Sequence, residues 1–202
     1  MSSAFLDAVR ARRTVYALEA KSPIADSKII EVVNETVKHV PSSYNSQSAR
    51  AVVLFKAEHE KLWDITIEVL KAIVPEDAFP ATLGKLNAFK AGYGTVLFFE
   101  DQDSVRAMQE AFPLYADRFP EFSAHASGMH QFVAWTALEA EGFGANLQHY
   151  NPLIDEKVAA QWNIPASWKL QSQLVFGAPV APAGEKTFRP LEERVKVFGA
   201  DA

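Results

Sequence analysis

The segment from Ser123 to Gly142 most constrains how this chain can fold. It carries Met129, Phe132, Val133, Trp135, Ala137, Leu138 and Ala140, so as a helix it is apolar over much of its circumference. A surface helix shows one apolar stripe and one polar face; a helix without a polar face belongs in a membrane, a central core or a subunit interface. No apolar run in the sequence approaches the roughly 18 residues that a membrane span needs. A core or an interface is left. Gly142 and Gly144 are placed to stop the helix.

The rest of the chain supplies partners for such a core. A first helix is expected over Ala4 to Arg12, capped by Ser2 or Ser3, and a second is expected from Asp26 as cap to Pro41. Ile29, Ile30, Val33 and Val37 recur in it at helical spacing. AVVLFK and TVLFFE are short apolar runs that read as buried strands, and a third strand is expected near Lys169 to Phe176. Helices are expected from His59 to Ile73, from Pro75 to Phe89, from Asp101 onward and from Asp155 to Gln161, with Phe112-Pro and Phe119-Pro marking loops. The tail GEKTFRPLEERVKVFG reads as a short helix or an arm. Strands separated by helices point to an α+β or α/β sandwich. At 202 residues, with no linker or repeat, a single domain over 1–202 is expected.

Several functions are excluded by residue types. The chain has no cysteine, which removes disulfides, thiolate metal sites, iron–sulfur clusters and cysteine nucleophiles, and fits a reducing, cytoplasmic location. A formal net charge of -5 argues against nucleic acid, which needs a broad basic face. The basic residues do gather in two spots, Arg10, Arg12 and Arg13 near one end and Lys186, Arg189 and Arg194 near the other. Two small basic spots on an acidic chain suit a small anion. The N-terminus lacks the apolar centre of a secretory signal, and Asp7 argues against a mitochondrial presequence.

Familiar catalytic motifs are missing too. Gly142-Phe-Gly144 follows a helix and lacks a third glycine, so it does not have the strand–turn–helix order of a dinucleotide fingerprint. There is no phosphate loop and no GxSxG. His125 and His130 are too far apart around a helix, at roughly 140°, to share a face. No metal is expected at that spacing.

Three segments carry weak but convergent hints. Arg12 and Arg13 end the first helix; they suit the dipole there, or they form an anion site, since guanidinium forks match phosphate oxygens. The loop SSYNSQSAR is an ordinary polar loop, or a set of amides matched to the alternating donors and acceptors of a flavin pyrimidine edge. ANLQHYNP is a helix-terminating turn, or a polar and aromatic segment beside a planar ligand.

In this order, RARRT, PSSYNSQSAR running into AVVLF, GFGANLQHYNP and EKTFRPLEERVKVFG resemble the nitroreductase family over essentially the whole chain. The resemblance is greatest to its short fungal and bacterial branch, which includes fatty-acid-repression-mutant-like and copper-induced nitroreductases. It implies an α+β three-layer sandwich with a central mixed, mainly antiparallel sheet and helices on both faces. It also implies a homodimer with FMN at two interface sites. Arg12, Arg13 and Thr14 would sit near the FMN phosphate and ring edge, with Lys186 and Arg189 completing the phosphate site. Asn45 and Gln47 would face the flavin, and Gln148 would run beside the isoalloxazine. NAD(P)H would be a transient co-substrate and a nitroaromatic or quinone the acceptor, in a ping-pong scheme without an obligatory catalytic side chain. The alternative is a flavin-binding member with a regulatory role in lipid signalling or oxidative stress and little turnover.

Overall fold

The computed structural model describes residues 4–200. The caps expected at Ser2 or Ser3 lie outside the described residues. Among the described residues, seven α-helices and five strands form an α+β sandwich in three layers. The strands are β1 (Leu18–Glu19), β2 (Ala49–Phe55), β3 (Gly94–Asp101), β4 (Gly144–Gln148) and β5 (Trp168–Pro179). Strand β5 is the hub. It pairs antiparallel with β3 along one edge, and with β4 and then β1 along the other, while β2 closes the far side of β3. A parallel bridge, Thr14 to Ala145, ties the segment after the first helix to β4.

An antiparallel sheet commonly leaves one face in water. Here both faces are covered, which is why TVLFFE is apolar without alternation. Leu97 and Phe99 of β3 pack to one side, with Leu62, Trp63 and Leu70 of α3 (Lys56–Lys71), Leu86 and Phe89 of α4 (Phe79–Lys90) and Val158 of α7 (Asp155–Trp162). Val96 and Phe98 pack to the other, with Ile29 and Val33 of α2 (Asp26–His39) and Ala134 and Leu138 of α6 (Phe119–Ala140). Helices α1 (Ala4–Ala11) and α5 (Gln102–Ala111) pack against α6.

Helix α6 behaves as its composition requires, and it is longer than expected. Pro120 lies in its first turn, where a missing N–H does no harm, so Phe119-Pro opens the helix instead of marking a loop. The helix ends in a Schellman motif. Gly142 takes φ +94, its N–H bonds to Glu139 O at 3.0 Å, and Phe143 N–H bonds to Leu138 O at 3.2 Å. Gly144 is needed for a different reason, because a Cβ there would come within 2.9 Å of both Val15 and Leu18 side chains.

Other expectations need correction. Asp26 is the first helical residue of α2 and makes no cap; its carboxylate instead accepts from Tyr93 Oη at 2.5 Å and Lys56 Nζ at 3.0 Å. The helix expected from Pro75 begins at Phe79. Residues 144–148, expected as a polar segment after a helix, form β4, a strand whose Asn146 is wholly buried. Its polarity hid it, because the buried amide is satisfied by donating to Val15 O at 2.9 Å. The tail is an arm with one turn of 3-10 helix at Leu191–Glu193.

His59 in α3 is fully buried against the sheet. The Lys90 carbonyl lies 3.2 Å from Nε2, and Nδ1 faces Thr95 Oγ1 at 2.8 Å. A carbonyl can only accept, so Nε2 carries the proton. Burial disfavours the imidazolium and pushes the His59 pKa down from 6.5 to about 4. The unfolded chain therefore takes up a proton near pH 6.5 that the folded chain refuses until about pH 4. As pH falls through that window, stability is expected to drop by on the order of 3 kcal/mol. Urea denaturation of the parent and of His59→Gln at several pH values between 7 and 4 checks this. The variant should lose much of the slope, and equal slopes would remove His59 as its source.

Candidate functional site

The RARRT segment leaves α1 and runs alongside β4. Val15 N–H bonds to Ala145 O at 2.9 Å. This hydrogen bonding places Arg12, Arg13 and Thr14 at the wall of a cavity of about 310 Å³, together with Tyr16, Gly184, Glu185 and Lys186. Arg12 and Arg13 of one basic spot and Lys186 of the other, far apart in the sequence, thus line one cavity. Arg13 reaches the Gly184 carbonyl through its guanidinium. Arg189 is on the exposed tail and does not line this cavity, and Arg10 pairs with Asp7 at 2.6 Å in solvent.

Arg12 is held in an unusual way. Its guanidinium carbon lies 4.4 Å from the centre of the Trp135 ring, and its Nη1 is buried with no hydrogen-bond partner among the described residues. A buried guanidinium N–H without an acceptor is costly and rare. Glu139 stands beside it. One carboxylate oxygen accepts Arg13 N–H at 2.7 Å, and the other accepts the Trp135 indole N–H at 2.8 Å. Burial raises the Glu139 pKa above the ordinary glutamate range, against the opposing pull of these donors and of Arg12.

Tyr16 also lines a neighbouring cavity of about 490 Å³, walled by Gln148, Tyr150, Phe89, Ala88 and Lys85. The two cavities share Tyr16 in their walls, so the basic pocket adjoins one lined by amide and aromatic groups. Gln148 is aimed by a relay in which its Nε2 donates to Asn146 Oδ1 at 2.8 Å. Tyr150 N–H bonds to the buried Gln173 Oε1 at 2.7 Å. Lys85 and Tyr16 escaped the sequence reading, since a single lysine in a helix gives no signal against a solvated face.

Asn45 and Gln47 lie elsewhere. They line a separate cavity of about 280 Å³ with Ser42, Arg50 and His130. Their loop is tightly shaped. Tyr44, Asn45 and Gln47 all take left-handed φ, at 56, 53 and 49°. Such values are easy for Asn and strained for Tyr and Gln. Ser42 Oγ accepts Gln47 N–H at 2.9 Å, and the Tyr44 ring packs 4.6 Å from Phe112, with its hydroxyl 3.0 Å from that of Tyr115.

The loop is anchored through Glu100, which is only 1% exposed. Its Oε2 accepts from Ser48 Oγ at 2.5 Å and from Ser123 Oγ of α6 at 2.6 Å, while Oε1 has no partner among the described residues. Burial raises the Glu100 pKa above its ordinary value. Glu100→Gln keeps a carbonyl oxygen for both serines and removes the buried charge. It is expected to match or exceed the parent in stability at pH 7, whereas Glu100→Ala should lose about 2 kcal/mol or more by stranding two buried hydroxyls. Urea melts of both variants decide, and a loss in Glu100→Gln equal to that in Glu100→Ala would mean that the charge itself is required.

Comparison with known proteins agrees with this architecture. The model of the nitroreductase family matches residues 9–178. The Saccharomyces cerevisiae nitroreductase HBN1 is 42% identical over 196 residues, covering 96% of each chain. The solved structure of nitroreductase CinD from Lactococcus lactis in complex with nicotinic acid superposes with a TM-score of 0.90 at 49% identity, covering 97% of this chain and 100% of that one. CinD in complex with 4-nitrophenol superposes equally well, at a TM-score of 0.89 and 48% identity, with the same coverage. A nitroreductase from Desulfovibrio desulfuricans in complex with FMN shares the fold, at a TM-score of 0.71 and 17% identity over 98% of this chain and 100% of that one. Among the described residues no helix is long and apolar enough to cross a membrane.

Proposed function

This chain belongs to the nitroreductase family of oxidoreductases, and from that premise we propose that it is an FMN-dependent enzyme that passes a hydride from NAD(P)H to a nitroaromatic or quinone acceptor. The observation that carries the reading is the buried, unpartnered Nη1 of Arg12, a residue that lines a cavity with Arg13, Thr14 and Lys186. A phosphate dianion would supply the missing acceptor and offset the gathered positive charge. Bound FMN would supply the hydride chemistry, and the protein's part is to hold and orient it. Arg12, Arg13, Thr14 and Lys186 would grip the phosphate. Gln148, Tyr16 and Lys85 would meet the ring end, since they line the cavity that shares Tyr16 with the basic pocket. The ligands of CinD, an aromatic acid and a nitrophenol, fit donor and acceptor rings that take turns at one face.

Purified protein should therefore release FMN and not FAD, as read by mass spectrometry of the chromophore. Stopped-flow mixing with NAD(P)H alone should bleach it, and a nitroaromatic or quinone should restore the colour, with parallel steady-state plots. Bleaching that needs the acceptor present would overturn the alternating scheme. A protein that holds FMN but is bleached by no nicotinamide would favour the regulatory reading, and one that fails to bind FMN would overturn the cofactor assignment.

The same reading calls for a second copy of the chain. Ser123 anchors the Asn45–Gln47 loop near the start of α6, and Glu139 anchors the RRT segment near its end. The ordinary helical rise separates those two anchors by roughly 24 Å. Asn45 and Gln47 of one protomer would thus complete the site of another. An open apolar groove lies along α6, lined by Phe5, Val32, Met129, Phe132, Val133 and Ala137, with a volume of about 610 Å³. A contiguous apolar surface of this kind is suited to bury such a contact. Phe198 of the tail, 91% exposed, adds further uncovered apolar surface. Sedimentation at low micromolar concentration should give twice the 22.3 kDa chain mass, and an FMN-loaded monomer would contradict the arrangement.

A further inference from the structure

We propose that Trp135 and Glu139 of α6 are positioning residues that hold Arg12 and Arg13 so that one guanidinium nitrogen of Arg12 stays free for the flavin phosphate. The inference rests on the FMN reading above and adds how that site keeps its selectivity for the phosphorylated flavin. Two residues one helical turn apart act together. Trp135 offers its ring face to the Arg12 guanidinium at 4.4 Å and its indole N–H to Glu139 at 2.8 Å. Glu139 commits its second oxygen to the backbone N–H of Arg13 at 2.7 Å. The carboxylate is thereby turned toward two other donors, and the Arg12 charge rests on a ring face, which attracts the cation but cannot accept its remaining N–H groups as an anion does. The result is the unpartnered Nη1. Without the ring, Arg12 is free to swing onto Glu139 and neutralise itself, and the anion site closes.

Simple electrostatics predicts the opposite sign for Glu139. A carboxylate beside a phosphate dianion repels it, so removing the charge should tighten FMN. Positioning predicts a loss, because an amide offers one acceptor oxygen to two N–H donors. Flavin-free preparations of the parent, Trp135→Leu, Trp135→Phe and Glu139→Gln are titrated with FMN and riboflavin by flavin fluorescence. The readout is the preference for FMN over riboflavin within each protein, which a general loosening of the fold would not alter. Trp135→Leu should lower that preference by about tenfold, and Trp135→Phe, which keeps a ring face, should stay within about threefold of the parent. Glu139→Gln should lower it as well. An unchanged preference in Trp135→Leu, or a raised one in Glu139→Gln, overturns the positioning role. If Trp135→Leu does not fold, Glu139→Gln and Trp135→Phe decide alone, with a raised preference in the first or a tenfold loss in the second counting against the proposal. A parent that binds riboflavin as well as FMN instead removes the phosphate site itself, so the two failures are distinct.

Discussion

The placement of helix α6, with one side buried beneath the sheet and another facing an open groove, governs the rest of this structure. Its inner row, Ala126, Ala134 and Leu138 with His130, is buried beneath the sheet. His130 enters that row without leaving a polar atom stranded at Nδ1, which meets Ala126 O at 2.7 Å. Its other apolar side, Met129, Phe132, Val133 and Ala137, lines an open groove. The cavity with Asn45 and Gln47 and the cavity with Arg12 and Arg13 both hang on this one element. Near its start, Ser123 holds Glu100 and through it the loop bearing Asn45 and Gln47. Near its end, Trp135 and Glu139 hold the arginines. A rigid helix keeps these two cavities at a set distance.

Charge is handled by confinement more than by pairing. The chain is acidic overall, yet the pocket at Arg12, Arg13 and Lys186 gathers cations from both ends of the sequence. The nearby carboxylate of Glu139 is committed to N–H donors, which limits how far it neutralises the pocket. The Arg12 guanidinium keeps a buried, unsatisfied donor, which is a local cost to stability. A similar arrangement operates at Glu100, where two serine hydroxyls converge on one oxygen and the other is left bare among the described residues.

Strand β4 links the fold to the site. It is short and polar, and it is held between β5 and the RRTV segment by backbone pairing and by the Asn146 amide. The close approach at Gly144 lets Val15 and Leu18 pack over the strand. Gln148 leaves its end already oriented by Asn146. Sheet geometry therefore orients an amide that lines the cavity beside Tyr150.

Local rules read most of the layers from the sequence alone. Apolar runs marked β2, β3 and β5, helical spacing marked α2 and α3, and the all-round apolar character of α6 foretold burial on more than one side. The glycine stop after α6 was legible because only a left-handed residue fits a Schellman turn. The ordered set of motifs was enough to indicate the family, and the fold sets Arg12, Arg13, Thr14 and Lys186, but not Arg189, around one cavity. What local rules could not reach were features whose energy comes from distant partners. Strand β4 looked polar because its buried amide is satisfied by a carbonyl in a segment more than a hundred residues away. Asp26 looked like a cap but answers to Tyr93 and Lys56. The roles of Trp135, Glu139, Glu100 and Lys85 exist only once helix, sheet and loop are packed. A sequence specifies which groups must be buried or bent, and tertiary structure decides which hydrogen-bond partner each buried group receives.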